Sequence, residues 1–320
     1  MQTGVLISLA AYFVLMLGIG LFAWKKSTDT SEGYLLAGRG LSPGVAALSA
    51  GASDMSGWLL LGLPGALYAS GLVEAWIGIG LFVGAVLNWT IVAPRLREQT
   101  ERMGNALTIP EFMANRFPSR AVALRVVSAI VIVVFFMVYS AAGLVGGGKL
   151  FETAFPALLP DIGVSDYMMG VWLTALVVLA YTMIGGFLAV SLTDFVQGCI
   201  MLVALVLMPL VVMFGEGGSA GGSLTDVPVD GFLSLTNGLT LIGFISAVTW
   251  GLGYFGQPHI IVRFMAIRSV EDVPTARNIG MSWMAISLIG AVGVAGEAGE
   301  YDEAFAMAGI DSAGFVADAG

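Results

Sequence analysis

One cysteine and one histidine are present in 320 residues. Cys199 has no second cysteine for an internal disulfide, and His259 alone makes no histidine metal cluster. Charge is scarce too: 11% of the residues are Asp, Glu, Lys or Arg, against about 25% in an average soluble domain. The basic sign is the rarer one, thirteen residues against twenty-two acids, and the net charge of −9 argues against a nucleic-acid binder. Polar cover is therefore too thin for a water-soluble globule. What is abundant is apolar: 58% of the chain, with a mean hydropathy of +0.91. That composition excludes disorder, a coiled coil and a disulfide scaffold, and leaves a polytopic membrane protein whose apolar excess faces lipid.

A span needs roughly 20 apolar residues to cross about 30 Å of hydrocarbon. Eight runs qualify: 5–24, 41–69, 71–93, 122–148, 167–187, 190–214, 235–257 and 278–296. Runs of this length read as helices, because backbone polar groups in lipid must be satisfied within the segment or in a closed barrel. No alternating ten-residue strands suggest a barrel, so the fold class is read as an all-α polytopic membrane protein. The first run has no basic segment before it and is followed by Lys25 and Lys26, which reads as a span and not a cleaved leader. Eight spans with the N-terminus outside put twelve of the thirteen basic residues in inner loops, among them Arg39, Arg97 and Arg263, with Lys149 alone outside. The acids divide the other way, thirteen outside and eight inside, with Asp54 deep in a span. The reading is a multi-pass protein of the cell membrane.

Two runs are flawed at their centres. Residues 49–58 read Ser-Ala-Gly-Ala-Ser-Asp-Met-Ser-Gly-Trp, and residues 250–258 read Trp-Gly-Leu-Gly-Tyr-Phe-Gly-Gln-Pro. Gly weakens a helix and Pro removes a donor, so both stretches are expected to unwind at membrane depth. Unwound backbone is tolerated there only where it lines a cavity or is buried in protein. Five helices separate the two flaws, and such a pair in matching positions is the sequence sign of a secondary transporter built from inverted repeats. The plainer reading is that small residues permit close helix packing. Asp54 favours function, since a carboxylate at the bilayer centre costs a few kcal/mol on insertion scales.

At these residues the chain resembles the solute:sodium symporter family, most closely its proline branch. The resemblance is carried by Ala47 to Leu60 running on into Gly62-Leu63-Pro64-Gly65-Ala66, by Asn105-Ala106-Leu107-Thr108, by Gly185 to Ser191 with Thr193-Asp194, and by Trp250 to His259. It covers about residues 5–295. It implies a five-plus-five inverted-repeat fold of the leucine-transporter kind with one extra helix in front. On this chain that gives an extra helix and inner loop over 1–40, the first repeat over 41–214, two helices of a second repeat over 215–296, and a tail over 297–320. It also implies sodium-coupled import of L-proline by alternating access, with Na⁺ as the co-transported ion and no other cofactor. By the same resemblance the backbone carbonyls of Ala52 and Met55 hold Na⁺, and Asp54, Ser56 and Gly57 support coupling. Trp58, Tyr139, Trp250, Tyr254 and Pro258 border the solute pocket, and Arg39 and Asp194 act on the inner side. Aromatic walls suit a compact apolar ring, and unwound carbonyls suit a hard cation.

The family pattern has about five further helices, one of which supplies two hydroxyl ligands to sodium. Here the resemblance fades near Ala295, and residues 297–320 hold seven Ala, four Gly and six acids with no Lys or Arg. The tail reads as an outer loop of a longer protein or as a frame-shifted stretch, the second slightly preferred. A chain so ended is expected not to couple sodium to solute by itself, unless the remaining helices are supplied in trans. The same fold with another solute (pantothenate or a different amino acid), a membrane sensory module, and a nonfunctional fragment are the alternatives. An intramembrane enzyme lacks a nucleophile–base pair. Matches to GxGxxG at Gly251–Gly256, to Walker spacing at Gly143–Lys149 and to a glycosylation sequon at Asn88–Thr90 all fall in or at spans and are discounted. His259 is read as an interface residue.

Overall fold

The computed structural model describes residues 2–27, 29–154, 163–214 and 231–296. Twelve α-helices run through them: α1 Gln2–Ser27, α2 Ser31–Leu36, α3 Pro43–Gly57, α4 Leu63–Ser70, α5 Ala75–Leu87, α6 Ala93–Arg102, α7 Ile109–Arg116, α8 Ala121–Ala154, α9 Asp166–Phe214, α10 Leu241–Thr249, α11 Pro258–Ala266 and α12 Val273–Gly296. Their starts follow local chemistry. Thr30, Thr108 and Thr240 accept N–H bonds from Gly33, Glu111 and Gly243, and Pro43 and Pro258 open helices where no N–H partner is needed. Five segments among the described residues are long and apolar enough to cross a membrane: Leu6–Ser27, Leu72–Arg102, Pro118–Thr153, Asp166–Val211 and Val270–Ala295. The two flawed runs are not among them, and α3 is buried along Ala46, Ala47, Leu48, Ala50, Ala52 and Met55.

α9 is two antiparallel arms joined at one residue. Its 49 residues would run about 74 Å if straight, more than twice the hydrocarbon thickness. At Gly186 the backbone leaves the helix (φ 59°, ψ −152°). Before the break Tyr181 lies against Gly20, and Gly185 lies against Ala23; after it Gln197 donates to the Tyr12 hydroxyl at 2.5 Å. Contact thus climbs α1 and then descends it, so the chain doubles back. The expected pair of runs 167–187 and 190–214 fits this reversal.

The two breaks differ from the expected unwinding. α3 stays helical through Met55 and leaves the helix at Ser56 alone (φ 43°, ψ −149°), followed by a π-helical turn over Trp58–Gly62. The other helix is looser: α10 gives way to a tight 3₁₀ stretch over Trp250–Phe255, Gln257 is extended, and α11 then carries on to Ala266. The seventh run therefore does not stop at 257. Arg263, read as a loop residue, is buried within α11. The third run is likewise longer, continuing through a second π-helical turn at Asn88–Val92 into the amphipathic α6.

α5 receives the 3₁₀ stretch almost backbone to backbone. A Cβ on Gly84 would sit 2.2 Å from the Gly251 carbonyl oxygen, and one on Gly80 2.6 Å from that of Val248. This is the small-xxx-small contact by which membrane helices approach closely. One turn further on, fully buried Asn88 donates to the Tyr254 carbonyl at 3.0 Å. The discounted sequon asparagine is thus a brace for the second break. Gly51 plays the same part on α3, where the Trp283 ring of α12 occupies the place of a side chain. The tail 297–320 lies outside the described residues.

A candidate ion and solute site between two broken helices

The breaks in α3 and before α11 face each other, and a hydrogen bond joins them. The Tyr254 hydroxyl donates to an Asp54 carboxylate oxygen. Tyr254 is buried and Asp54 half-buried, so neither has bulk water as its main partner. On the same turn the Ser53 carbonyl accepts from the Tyr139 hydroxyl of α8 at 2.8 Å. Tyr139 in turn stacks on the His259 ring, with centroids 5.2 Å apart and planes at 30°.

Ala52 and Met55, the expected carbonyl ligands, are buried on α3. The Met55 carbonyl already accepts from the Trp58 N–H that closes the helix, and it keeps a second lone pair. Ser56 and Gly57 are exposed at the break, while Trp58 is half-buried just beyond it. Trp250 is exposed at the start of the 3₁₀ stretch, and Pro258 is half-buried at the first turn of α11. The structure thus joins Tyr254 to Asp54 and Tyr139 to the neighbouring Ser53 carbonyl, and leaves Ser56, Gly57, Trp58, Trp250 and Pro258 along the two broken segments.

Asp194 belongs to a buried ionic cluster one helix turn along α3. Its Oδ2 accepts from Arg263 Nη2 at 2.6 Å and from Ser49 Oγ at 2.8 Å. Arg263 also donates to Ser49 Oγ at 2.7 Å, to Ser53 Oγ at 2.9 Å and to the carbonyl of His259. A guanidinium in the apolar setting of α11 must pair or pay a large desolvation cost, and here it pairs. Arg263 is a residue that sequence reasoning missed. Its signal was an arginine inside the apolar stretch Ile260 to Met265, which loop assignment hid.

Arg39 stands apart from both groups. Its guanidinium donates to Asn105 Oδ1 (3.0 Å), Thr100 Oγ1 (3.2 Å), the Met265 carbonyl (2.7 Å) and the Ala106 carbonyl (3.0 Å). Glu32 lies 3.6 Å away. Arg97 adds bonds to the Ile267 and Arg268 carbonyls at 2.6 and 3.2 Å and pairs with Glu101 at 2.5 Å. Leu41 completes the strap, giving its N–H to Ala266 and its carbonyl to the Arg268 N–H. These groups serve the carbonyls left open where α11 ends.

A sequence profile of the sodium:solute symporter family matches residues 34–313. The chain belongs to that family. Sodium:solute symporters are transporters, not enzymes. The osmoregulated proline transporter OpuE of Bacillus subtilis (strain 168) is 50% identical over 309 residues, spanning 96% of this chain and 61% of that protein. The sodium/proline symporter of Staphylococcus aureus (strain JH9) is 49% identical over 290 residues, 89% of this chain and 54% of that one. The chain thus spans a little over half the length of these relatives. A solved structure titled as the substrate-bound outward-open state of a Na⁺-coupled sialic acid symporter aligns with a TM-score of 0.69 at 17% identity, over 92% of this chain and 61% of that chain. It shows the symporter's fold: all-α, polytopic and of the leucine-transporter kind. The family match also runs past Ala295, where similarity was expected to fade, which removes the ground for preferring a frame-shifted tail.

Proposed function

We propose that the chain is part of a sodium-coupled L-proline symporter of the cell membrane, with its N-terminus outside and its ion and solute sites on the facing breaks. The observation that carries this reading is the hydrogen bond from Tyr254 to Asp54, which ties the expected solute helix to the expected ion helix. Na⁺ held by the Ala52 and Met55 carbonyls sits one or two residues from Asp54. Its charge draws on the same carboxylate that Tyr254 holds, so occupancy of the ion site and the pose of the solute helix are thermodynamically linked. Solute bound between Trp58, Tyr139, Trp250, Tyr254 and Pro258 returns the effect to the ion by reciprocity. Ser56, strained at positive φ, and Gly57 fix the bend that ends the helix beside these carbonyls. One sodium ion crossing 100 mV contributes about 2.3 kcal/mol. A roughly tenfold sodium gradient adds about 1.4 kcal/mol.

The domain division at 40, 214 and 296, and the roles given to Arg39 and Asp194, belong to the same proposal. What supports Asp194 is its burial against Ser49 and Ser53 on the ion helix; what supports Arg39 is structural, through the end of α11. The test is uptake of labelled L-proline into vesicles holding this chain together with the C-terminal two-fifths of the Bacillus subtilis relative, in trans. Sodium-dependent uptake, competed by proline and not by pantothenate, is the expected result. Uptake indifferent to sodium, or competed by pantothenate in preference to proline, overturns it.

A further inference from the structure

The His259 side chain is placed like a binding group. Its ring lies between Phe136 and Tyr139 of α8, at centroid distances of 5.4 and 5.2 Å. Both ring nitrogens are buried, and neither has a hydrogen-bond partner among the described residues. Leaving such a group unmatched is costly in an apolar setting, and a phenylalanine would fill the same slot without that cost. An imidazole has at least one N–H to donate in either protonation state.

The polar neighbours are already engaged. Arg263, one turn along α11, gives its guanidinium to Asp194, Ser49, Ser53 and the His259 carbonyl. The Tyr139 hydroxyl is bound to the Ser53 carbonyl, and that of Tyr254 to Asp54. Among the described residues, the buried ring of His259 carries a donor beside the two breaks that has no partner. We propose that His259 is a solute-binding residue whose ring N–H receives the carboxylate of a small zwitterion, while Tyr139 holds the ring in place. This rests on the reading above that the two breaks border a solute site. It also links the bound carboxylate, through the stacked Tyr139, to the Ser53 carbonyl beside Asp54.

His259 is the chain's one histidine, so isotope-labelled histidine gives one ring's signals. The experiment is nitrogen NMR of the 320-residue chain, carrying labelled histidine and tryptophan, reconstituted in lipid nanodiscs with the unlabelled C-terminal two-fifths of the Bacillus subtilis relative and titrated with L-proline in sodium buffer. Both His259 and Trp250 signals are expected to move saturably with proline, and L-prolinol, which lacks the carboxylate, to need about tenfold more or greater. His259→Phe should weaken proline binding about tenfold, read at Trp250, and His259→Gln should recover part of it. A Trp250 response with His259 silent, or unweakened binding by His259→Phe, overturns the proposal and leaves the solute site standing. Silence at both residues overturns the site reading and this inference together. Should His259→Phe fail to fold, the wild-type histidine signal still decides.

Discussion

The two ends of α11 are built on opposite plans. At the C-terminal end Arg39, Leu41 and Arg97 serve four successive carbonyls from Met265 to Arg268. At the N-terminal end no side chain caps the helix, Gln257 is extended, and the His259 nitrogens stand without partners among the described residues. Between them Arg263 ties the middle of the helix to α3 and Asp194. This nine-residue helix is thus fastened at its end and its middle and left uncapped at its start. On the proposed reading, rigidity and solute contact fall to different ends of the same short element.

The largest effect should come from the middle tie. Arg263→Leu leaves Asp194 buried without its cation, and should lower stability by about 3–5 kcal/mol. A fall in the thermal midpoint of the detergent-purified chain reads this, and adding Asp194→Asn should restore at least half of it. Little restoration would mean that the pair is not the cause. Next is the fastened end. Arg39→Lys keeps the charge but cannot reach four acceptors, and should cost about 2–3 kcal/mol. Amide exchange should quicken in the last turn of α11 and stay unchanged near Asp54; equal quickening at both would erase the contrast between the ends.

A smaller loss is expected upstream of the loose end. Gly84→Ala forces α5 away from Gly251, costing about 1–3 kcal/mol, and should alter Trp250 fluorescence while sparing Arg39's contacts. The smallest effect lies just past the fastened end. Exposed Arg268 and half-buried Asp272 lie 2.9 Å apart, an ion pair screened by water that contributes little. Asp272→Asn should therefore lower the thermal midpoint only slightly, and less in high salt. A fall as large as that of Gly84→Ala would take this pair out of last place.

Much of this was legible because lipid imposes a simple rule on long apolar runs. The expected span 122–148 sits within Ala121–Ala154, and the reversal between the fifth and sixth runs falls at Gly186, where Gly185 and Gly186 interrupt the pattern. Asp54 was singled out by the cost of a carboxylate in a span, Tyr139 and Tyr254 by resemblance; Tyr254 binds Asp54 and Tyr139 binds the carbonyl of neighbouring Ser53. The failures share one cause. Hydropathy marks where a helix meets lipid, and α6 and α11 continue as helices where they meet protein instead. Arg97 and Arg263 therefore looked like loop residues, although both are buried. The break in α3 was expected to span ten residues, but a small residue such as Gly51 serves close packing against α12 as readily as unwinding.

The π-helical turn at Asn88–Val92 bears on how the clamp on α11 is aimed. Such a turn carries one residue more than an α-helical path of the same length. It therefore sets the facing of α6 independently of α5, with each residue worth about 100° around the axis. Upstream of that extra residue Asn88 points to the Tyr254 carbonyl, and downstream Arg97 points to Ile267. Deleting a single residue here would leave every clamping side chain in the sequence and swing Arg97 out of line. The spacing between brace and clamp is thus a matter of phase, held by one inserted residue.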